Sequence, residues 1–418
     1  MSAKNLFFLS VVIIAVFFRL FVLPNVPPQA TVDEVSIGYN AYSILKTGAD
    51  EYGTKFPILL RAYDDWRPAL YVYLVIPFVA LLGLDVLAVR LPSVILSTLS
   101  IVTVYFVLKE LFRNSKKLSI PEIATFLLAI SPWHIYISRL GHEVNASYAF
   151  FIFGLLFFFR FLNKEKWNLY LSALFFALSF DSYQSTKLVV PLILLVLVIL
   201  YFKRLMVNKR TVIISAVIGF IVALPILATS FDQNALVRLK GTGLLTTSEE
   251  YLKVERERLE VDRRTGDLIG PVFDNSKAAS ARLIAHAYLS HFDPVWLFIN
   301  EGGEQFKAPT IGLLYLFELP LIFLGFLFVR NIGLTNKSLI FLLAWGLIAI
   351  IPGGISNGYA HPMRTFSLLP LPQIFAAIGF LVFINYFKKY RTAVLAGSGI
   401  AIFVFALWFF HSYFTLVP

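Results

Sequence analysis

Two adjacent carboxylates, Asp33 and Glu34, follow the first long apolar run of the chain, within Thr31-Val32-Asp33-Glu34-Val35-Ser36-Ile37-Gly38-Tyr39-Asn40. Charges among apolar segments cost roughly 2.5 to 3.5 kcal/mol each on insertion scales, so their placement carries information. Others recur at the ends of apolar runs: Arg67; Arg139, His142 and Glu143; Asp181 and Lys187; His361 and Arg364. Cations grip a phosphate, Arg through a planar fork and Lys as a point charge. A carboxylate beside them serves as general base toward a hydroxyl. The set points to group transfer from a lipid-phosphate donor, without specifying a sugar.

Plainer readings stand beside each of these. Asp33-Glu34 could cap a helix over 34–46 and complement its dipole. Arg67 and Lys187 could be snorkelling anchors. Arg139 and Glu143, four apart, could form a helical ion pair. His361 and Arg364 could be ordinary loop residues. Asp85 and Arg90 flank the start of an apolar run and read as topological. His286, His291 and Asp293 do not have the spacing of a known metal-ligand pattern. Asn145-Ala146-Ser147 fits an N-glycosylation acceptor but abuts an apolar run.

The elements that must hold these groups are apolar helices. Of 418 residues, 58% are hydrophobic and 15% charged, with mean hydropathy +0.76 and 42 Phe and 19 Tyr. A soluble domain carries about 25% charged residues, so this composition is that of a polytopic membrane protein. There are no cysteines, which excludes disulfides and thiolate-held zinc. The net charge of +11 is concentrated in short loops, as the positive-inside rule produces, and does not point to nucleic acid.

Apolar runs lie at about 6–23, 87–108, 121–138, 146–162, 169–181, 188–202, 211–230, 311–329, 338–352, 365–387 and 392–414. Most approach the ~20 residues a spanning helix needs. The basic loops are Arg113/Lys116/Lys117, Lys164/Lys166, Lys203/Arg204/Lys209/Arg210, Arg330/Lys337 and Lys388/Lys389/Arg391. They share the cytoplasmic side, together with Lys4, if the run 68–84, broken by Pro77, is interfacial or re-entrant. The expectation is an all-α bundle of about eleven spans with interfacial helices in the first outer loop. The N-terminus is inside and the C-terminus outside. Residues 1–230 form an N-terminal bundle whose first outer loop, 24–86, carries the acidic pair. Residues 231–310 form an outer-face insertion with a solvated charged helix at Glu249–Arg264, and 311–418 form the last spans. No internal repeat is present.

At this level of detail the chain resembles the polytopic GT-C glycosyltransferases, specifically the protein-mannosyltransferase-like branch. Asp33-Glu34 after the first span is similar to that family's first-loop pair. Asp64-Asp65-Trp66-Arg67-Pro68-Ala69-Leu70-Tyr71 resembles its Lys/His-Pro-Pro-Leu segment, with Arg67 for the usual Lys or His and Ala69 for the second Pro. Arg90-Leu91-Pro92-Ser93, Ser131-Pro132-Trp133-His134 with Ser138-Arg139 and Glu143, Tyr288-Leu289-Ser290-His291-Phe292-Asp293-Pro294, and His361-Pro362-Met363-Arg364 look like its later motifs. The resemblance implies inverting transfer from a polyprenyl- or dolichyl-phosphate sugar, with Asp33 as general base and Glu34 orienting it. Glu143, with His142, lines the acceptor side. Arg67, Lys187 and Arg364, with His361 and Arg139, hold the donor phosphate.

A base of useful strength needs a raised pKa, and burial and the neighbouring Glu34 are expected to supply it. Some relatives use a divalent cation such as Mg or Mn, which leaves one possible here. The expected setting is the plasma membrane with the site on its extracytoplasmic side, and the acceptor a lipid, protein or glycan. A transporter or flippase of lipid-linked glycans, or an O-antigen polymerase or ligase type of enzyme, is the competing reading.

Overall fold

The computed structural model describes residues 3–63, 65–113, 119–163, 165–229, 243–299, 307–308, 310–356 and 360–416. Asp64, Lys116, Lys117, Lys164, Tyr359 and parts of the 231–310 insertion lie outside them.

The chain begins with α1 (Ala3–Leu20) and, after an irregular stretch, α2 (Val32–Thr47). Thr31 is a true N-cap: its hydroxyl accepts from the Glu34 amide, and the Glu34 carboxylate accepts from the Thr31 amide. Such a capping box stabilises a helix start by about 1 kcal/mol. Ile37, Ala41 and Ile44 recur at helical spacing on the buried face of α2. They pack with Val72, Val75 and Val79 of α3 (Leu70–Leu82) and Val89 of α4 (Val86–Leu111). Between α2 and α3 a two-stranded hairpin, β1 (Leu59–Ala62) and β2 (Asp65–Pro68), pairs Leu60 with Arg67.

The bundle continues with α5 (Ile120–Ile130), α6 (Pro132–Ser138), α7 (Glu143–Asn163), α8 (Asn168–Ser182), α9 (Thr186–Val207) and α10 (Lys209–Thr229). α5 and α6 meet at 55°. The cause is local: Pro132 has no amide to donate and holds Ser131 in extended backbone (φ −60°, ψ 124°). Outside the bundle lie the charged helix α11 (Glu249–Thr265) and α12 (Ser276–Leu289). They are joined through buried Glu255, which accepts from Arg258 (3.1 Å) and Arg282 (2.5 Å).

The last part is α13 (Glu318–Phe328), α14 (Asn336–Gly354), α15 (Leu371–Tyr386) and α16 (Arg391–Phe414). α13 and α15 approach backbone to backbone. A Cβ on Gly325 would lie 1.8 Å from the Phe375 carbonyl oxygen, and one on Gly379 1.9 Å from that of Leu321. Small residues permit this kind of contact in membranes.

Among the described residues seven helices are long and apolar enough to cross a bilayer, or eight if α5–α6 counts as one bent span. The expected eleven is therefore not reached on length and composition. The other three runs form helices of 18, 15 and 11 residues, α1, α8 and α13, and the 311–329 run is helical only from Glu318. α3, the 68–84 run, has 13 residues. At 1.5 Å per residue it reaches about 20 Å, short of the ~30 Å hydrocarbon core.

Candidate active site

The two adjacent carboxylates sit in different environments. Glu34 is buried. Its Oε1 accepts from Arg90 Nε (2.7 Å) and the Gly141 amide (2.8 Å), and its Oε2 from Arg90 Nη2 (3.2 Å) and the Thr31 amide (2.9 Å). Arg90, fully buried, spends its remaining donors on the carbonyls of Leu23, Pro27 and Gln29. One buried ion pair thus ties α2, α4, the chain leaving α1, and the turn before α7. Gly141 is required at that turn, because a Cβ there would lie 2.5 Å from Val89 Cγ1 and 2.8 Å from the Val89 carbonyl oxygen. Sequence reading took Arg90 as topological; the signal available was its place in the Arg90-Leu91-Pro92-Ser93 motif.

Asp33, one residue earlier, keeps 42% of its side chain exposed. Arg67 Nη2 donates to its Oδ1 at 2.6 Å, placed there by the β1–β2 hairpin. His142 Nε2 stands 3.5 Å from its Oδ2. The carboxyl is held well below the usual carboxylate range, by the hydrogen bond to His142 first and the charges of His142 and Arg67 after it, against partial burial. This corrects the expectation of a raised pKa. Glu34 was to raise it, but its charge is met by Arg90, while two cationic groups face Asp33 directly.

His142 is buried, with its ring edge-on to Tyr183 (5.7 Å between centroids). Burial opposes its charging, but Glu143 Oε2, 3.6 Å from Nδ1, and Asp33 outweigh this and raise its pKa. In the neutral ring Nδ1 accepts from the Val144 amide (3.1 Å), which leaves the proton on Nε2, facing Asp33. Glu143 is buried and its Oε2 has no hydrogen-bond donor. Beneath this row Asn145 bonds Ser93, Ser97 and the Ile137 carbonyl, and Tyr71 bonds Ser93. Asn145 is fully buried and occupied, so the glycosylation reading of Asn145-Ala146-Ser147 fails.

Lys187, half-buried in the first turn of α9, lies within electrostatic reach of Asp181. Its neighbour Thr186 bonds Ser147 (2.8 Å), one helical turn along α7 from Glu143. The late loop closes over the other side. His291 Nδ1 donates to the Ala287 carbonyl, and its Nε2 accepts from the His361 amide (3.2 Å). Trp133 Nε1 donates to the Pro362 carbonyl (3.1 Å). Burial, Arg364 and then His142 push His361 down to about 3, which disfavours its cationic form in this arrangement. Arg364 is half-buried beside His361 and His291. Sequence reading marked His291 only in a rejected metal pattern and in the 288–294 motif, gave it no role in the site, and did not mark the buried Lys307, which also acts on His361.

Arg139 leaves the site. All of its nitrogens donate to carbonyls of the chain leaving α1, those of Phe18, Arg19, Phe21 and Val26, and its guanidinium lies over the Phe414 ring (4.8 Å). It has no donor left for a phosphate and makes no pair with Glu143.

The residues do not fit a divalent cation as arranged. Among the described residues no three His, Asp or Glu side chains converge on one point. Glu34 is consumed by Arg90, and Asp33 is met by Arg67.

Comparison with known proteins agrees with this architecture. Residues 67–228 match the family model described as dolichyl-phosphate-mannose-protein mannosyltransferase. Curated protein sequences give no match. Among solved structures, archaeal oligosaccharyltransferase AglB from Archaeoglobus fulgidus, in complex with an inhibitory peptide and a dolichol-phosphate, aligns at TM-score 0.54 and 17% identity over 94% of this chain and 52% of its own. ArnT from Cupriavidus metallidurans, bound to undecaprenyl phosphate, aligns at TM-score 0.54 and 12% identity over 96% and 64%. The Archaeoglobus enzyme complexed with Zn and sulfate gives 0.57 and 15% over 96% and 52%. This chain therefore spans between about half and two thirds of those structures, and it shares the polytopic helical fold of GT-C glycosyltransferases.

Proposed function

We propose that this chain is a membrane glycosyltransferase. It moves a sugar from a polyprenyl- or dolichyl-phosphate donor to an acceptor on the extracytoplasmic face of the plasma membrane, with inversion at the anomeric carbon. The observation that carries the proposal is the division of labour between the two adjacent carboxylates. Glu34 is locked in a buried frame, and Asp33 is presented from that frame, half open, between Arg67 and His142. AglB and ArnT have both been solved with polyprenyl phosphates, which supports a lipid-linked donor.

In this reading Asp33 takes the proton of the acceptor hydroxyl as its oxygen attacks the anomeric carbon. The bond from that carbon to the phosphate oxygen breaks, and the polyprenyl phosphate leaves with the electron pair. A carboxylate gripped by Arg67 is a weak base. An incoming donor phosphate competes for the same guanidinium, and drawing Arg67 away lifts the proton affinity of Asp33 at the moment it is needed. Lys187 and Arg364 complete the phosphate contact. Glu143 receives the charge of His142 and faces the acceptor. Glu34 positions rather than reacts.

The test is purified protein in nanodiscs, given radiolabelled polyprenyl-phosphate sugars and, separately, pyrophosphate-linked oligosaccharides, with an extract of its own membranes. Label moving from a monophosphate-linked sugar into a product of opposite anomeric configuration supports the reading. Transfer from the pyrophosphate donors alone would assign a polymerase or ligase instead. Movement of lipid-linked substrate across proteoliposomes without any transfer would assign a flippase.

A further inference from the structure

A second polar hollow lies at the far end of the bundle from Asp33. α4 carries Arg90 near its first turn and Glu110 near its last, twenty residues on. At 1.5 Å per residue that separation is about 30 Å, the thickness of the hydrocarbon core. There the ends of α4, α7 and α9 and the start of α14 enclose a cleft of about 500 Å³.

Its charge is one-sided. Arg113 from the end of α4, Arg204 from α9 and Lys337 from α14 line it, against one carboxylate, Glu110. Glu110 is turned toward α7, where Asn163 donates to it at 3.1 Å. Among the described residues none of the three cations has a carboxylate within ion-pair distance. The cleft is also built. The helical backbone of α9 breaks at Tyr201 (φ −116°, ψ 19°), and Lys337 Nζ sits 5.2 Å from the centroid of that ring. Thr335 caps α14 by accepting from the Ser338 amide, so the remaining first-turn amides of α14 add partial positive charge at the rim. Three helices thus bring three unpaired cations, two hydroxyls and a helix start to one hollow at the membrane boundary.

From this convergence we infer that the cleft binds a phosphate group, that of an anionic phospholipid headgroup seated between α4, α9 and α14. Basic pockets between membrane helices at this depth suit such headgroups. The site is separate from the one that holds Asp33, and its occupancy does not depend on glycosyl transfer.

Native mass spectrometry of the full chain tests it with dioleoyl phosphatidylglycerol, dioleoyl phosphatidylcholine and inorganic phosphate as probes. Wild type is expected to retain phosphatidylglycerol over phosphatidylcholine. The double variant R204A/K337A should weaken retention by about tenfold or more, while R204K should keep it. Lys209→Ala removes an exposed cation of the same end outside the cleft and should change nothing. Displacement of the retained lipid by inorganic phosphate would keep the phosphate site and assign it to the free ion. Equal retention of the two lipids, or equal loss in Lys209→Ala and the double variant, would overturn the inference.

Discussion

Asp33 and Glu34 are neighbours in sequence and opposites in setting, and this contrast yields predictions that separate catalysis from folding. Glu34 and Arg90 form a buried, fully hydrogen-bonded pair. Removing one partner of such a pair strands the other charge and costs about 3–5 kcal/mol. Glu34→Ala is therefore expected to lower Tm and yield sharply, and Arg90→Lys to do the same, since an ammonium cannot reach the carbonyls of Leu23, Pro27 and Gln29 together with Glu34. Thermal melts of the purified variants check this.

The pH dependence follows from the same residues. The lowered pKa of Asp33 contributes stability that is present above the ordinary carboxylate value of about 4 and is lost as pH falls through the lower folded value. The raised pKa of His142 contributes stability that is full below about 6.5 and is lost as pH rises through the higher folded value. Tm should be greatest between the two, and His142→Gln should remove the decline on the alkaline side. His142 is also the largest influence holding Asp33 low, so His142→Gln should move the acid limb of kcat/KM to higher pH. An unmoved acid limb would mean that Asp33 does not titrate in that profile.

Helices and hairpins decide where those side chains can go. The acidic helix was legible from the two carboxylates at its head, and it forms within two residues of the expected 34–46, but its cap is Thr31, and Asp33 and Glu34 lie in its first turn. The pairing of Arg67 with Asp33 was not legible, because it depends on the register of a short hairpin 34 residues away. Nor was the role of Arg139. A guanidinium at a span end looks alike whether it grips a phosphate or, as here, the carbonyls of a helix end and the irregular stretch after it. Backbone demand from a distant segment leaves no local mark in sequence. The close contact of α13 with α15 was invisible for the same reason: Gly325 and Gly379 matter only once the helices meet. Gly325→Leu should force those helices apart and abolish folded protein, while Gly397→Leu, in open surroundings on α16, should leave yield unchanged. Size-exclusion profiles of the two variants decide it.

For the whole molecule, composition alone identified the class, and the basic loops ordered most of the helices. The number of crossings was beyond it, because an apolar run does not declare whether it folds as a full span, a bent pair such as α5–α6, or a short helix such as α3. The absence of cysteines makes topology directly measurable. Tyr52→Cys in the first loop should react with an impermeant maleimide added outside intact cells, and Lys209→Cys only after permeabilisation. Labelling of both from one side would contradict the arrangement that puts the acidic pair and the basic loops on opposite faces.

The most direct measurement is sugar transfer by wild type and Asp33→Asn, side by side in nanodiscs with a polyprenyl-phosphate sugar and native membrane extract. Asp33 is half exposed and lies outside the buried Glu34–Arg90 frame, so the variant should still fold, with Tm lowered only by the loss of its contacts with Arg67 and His142. Its transfer rate should fall at least about a hundredfold, the loss expected when a general base is removed. Transfer at the wild-type rate by well-folded Asp33→Asn would contradict the central claim and leave the acidic pair as a helix cap.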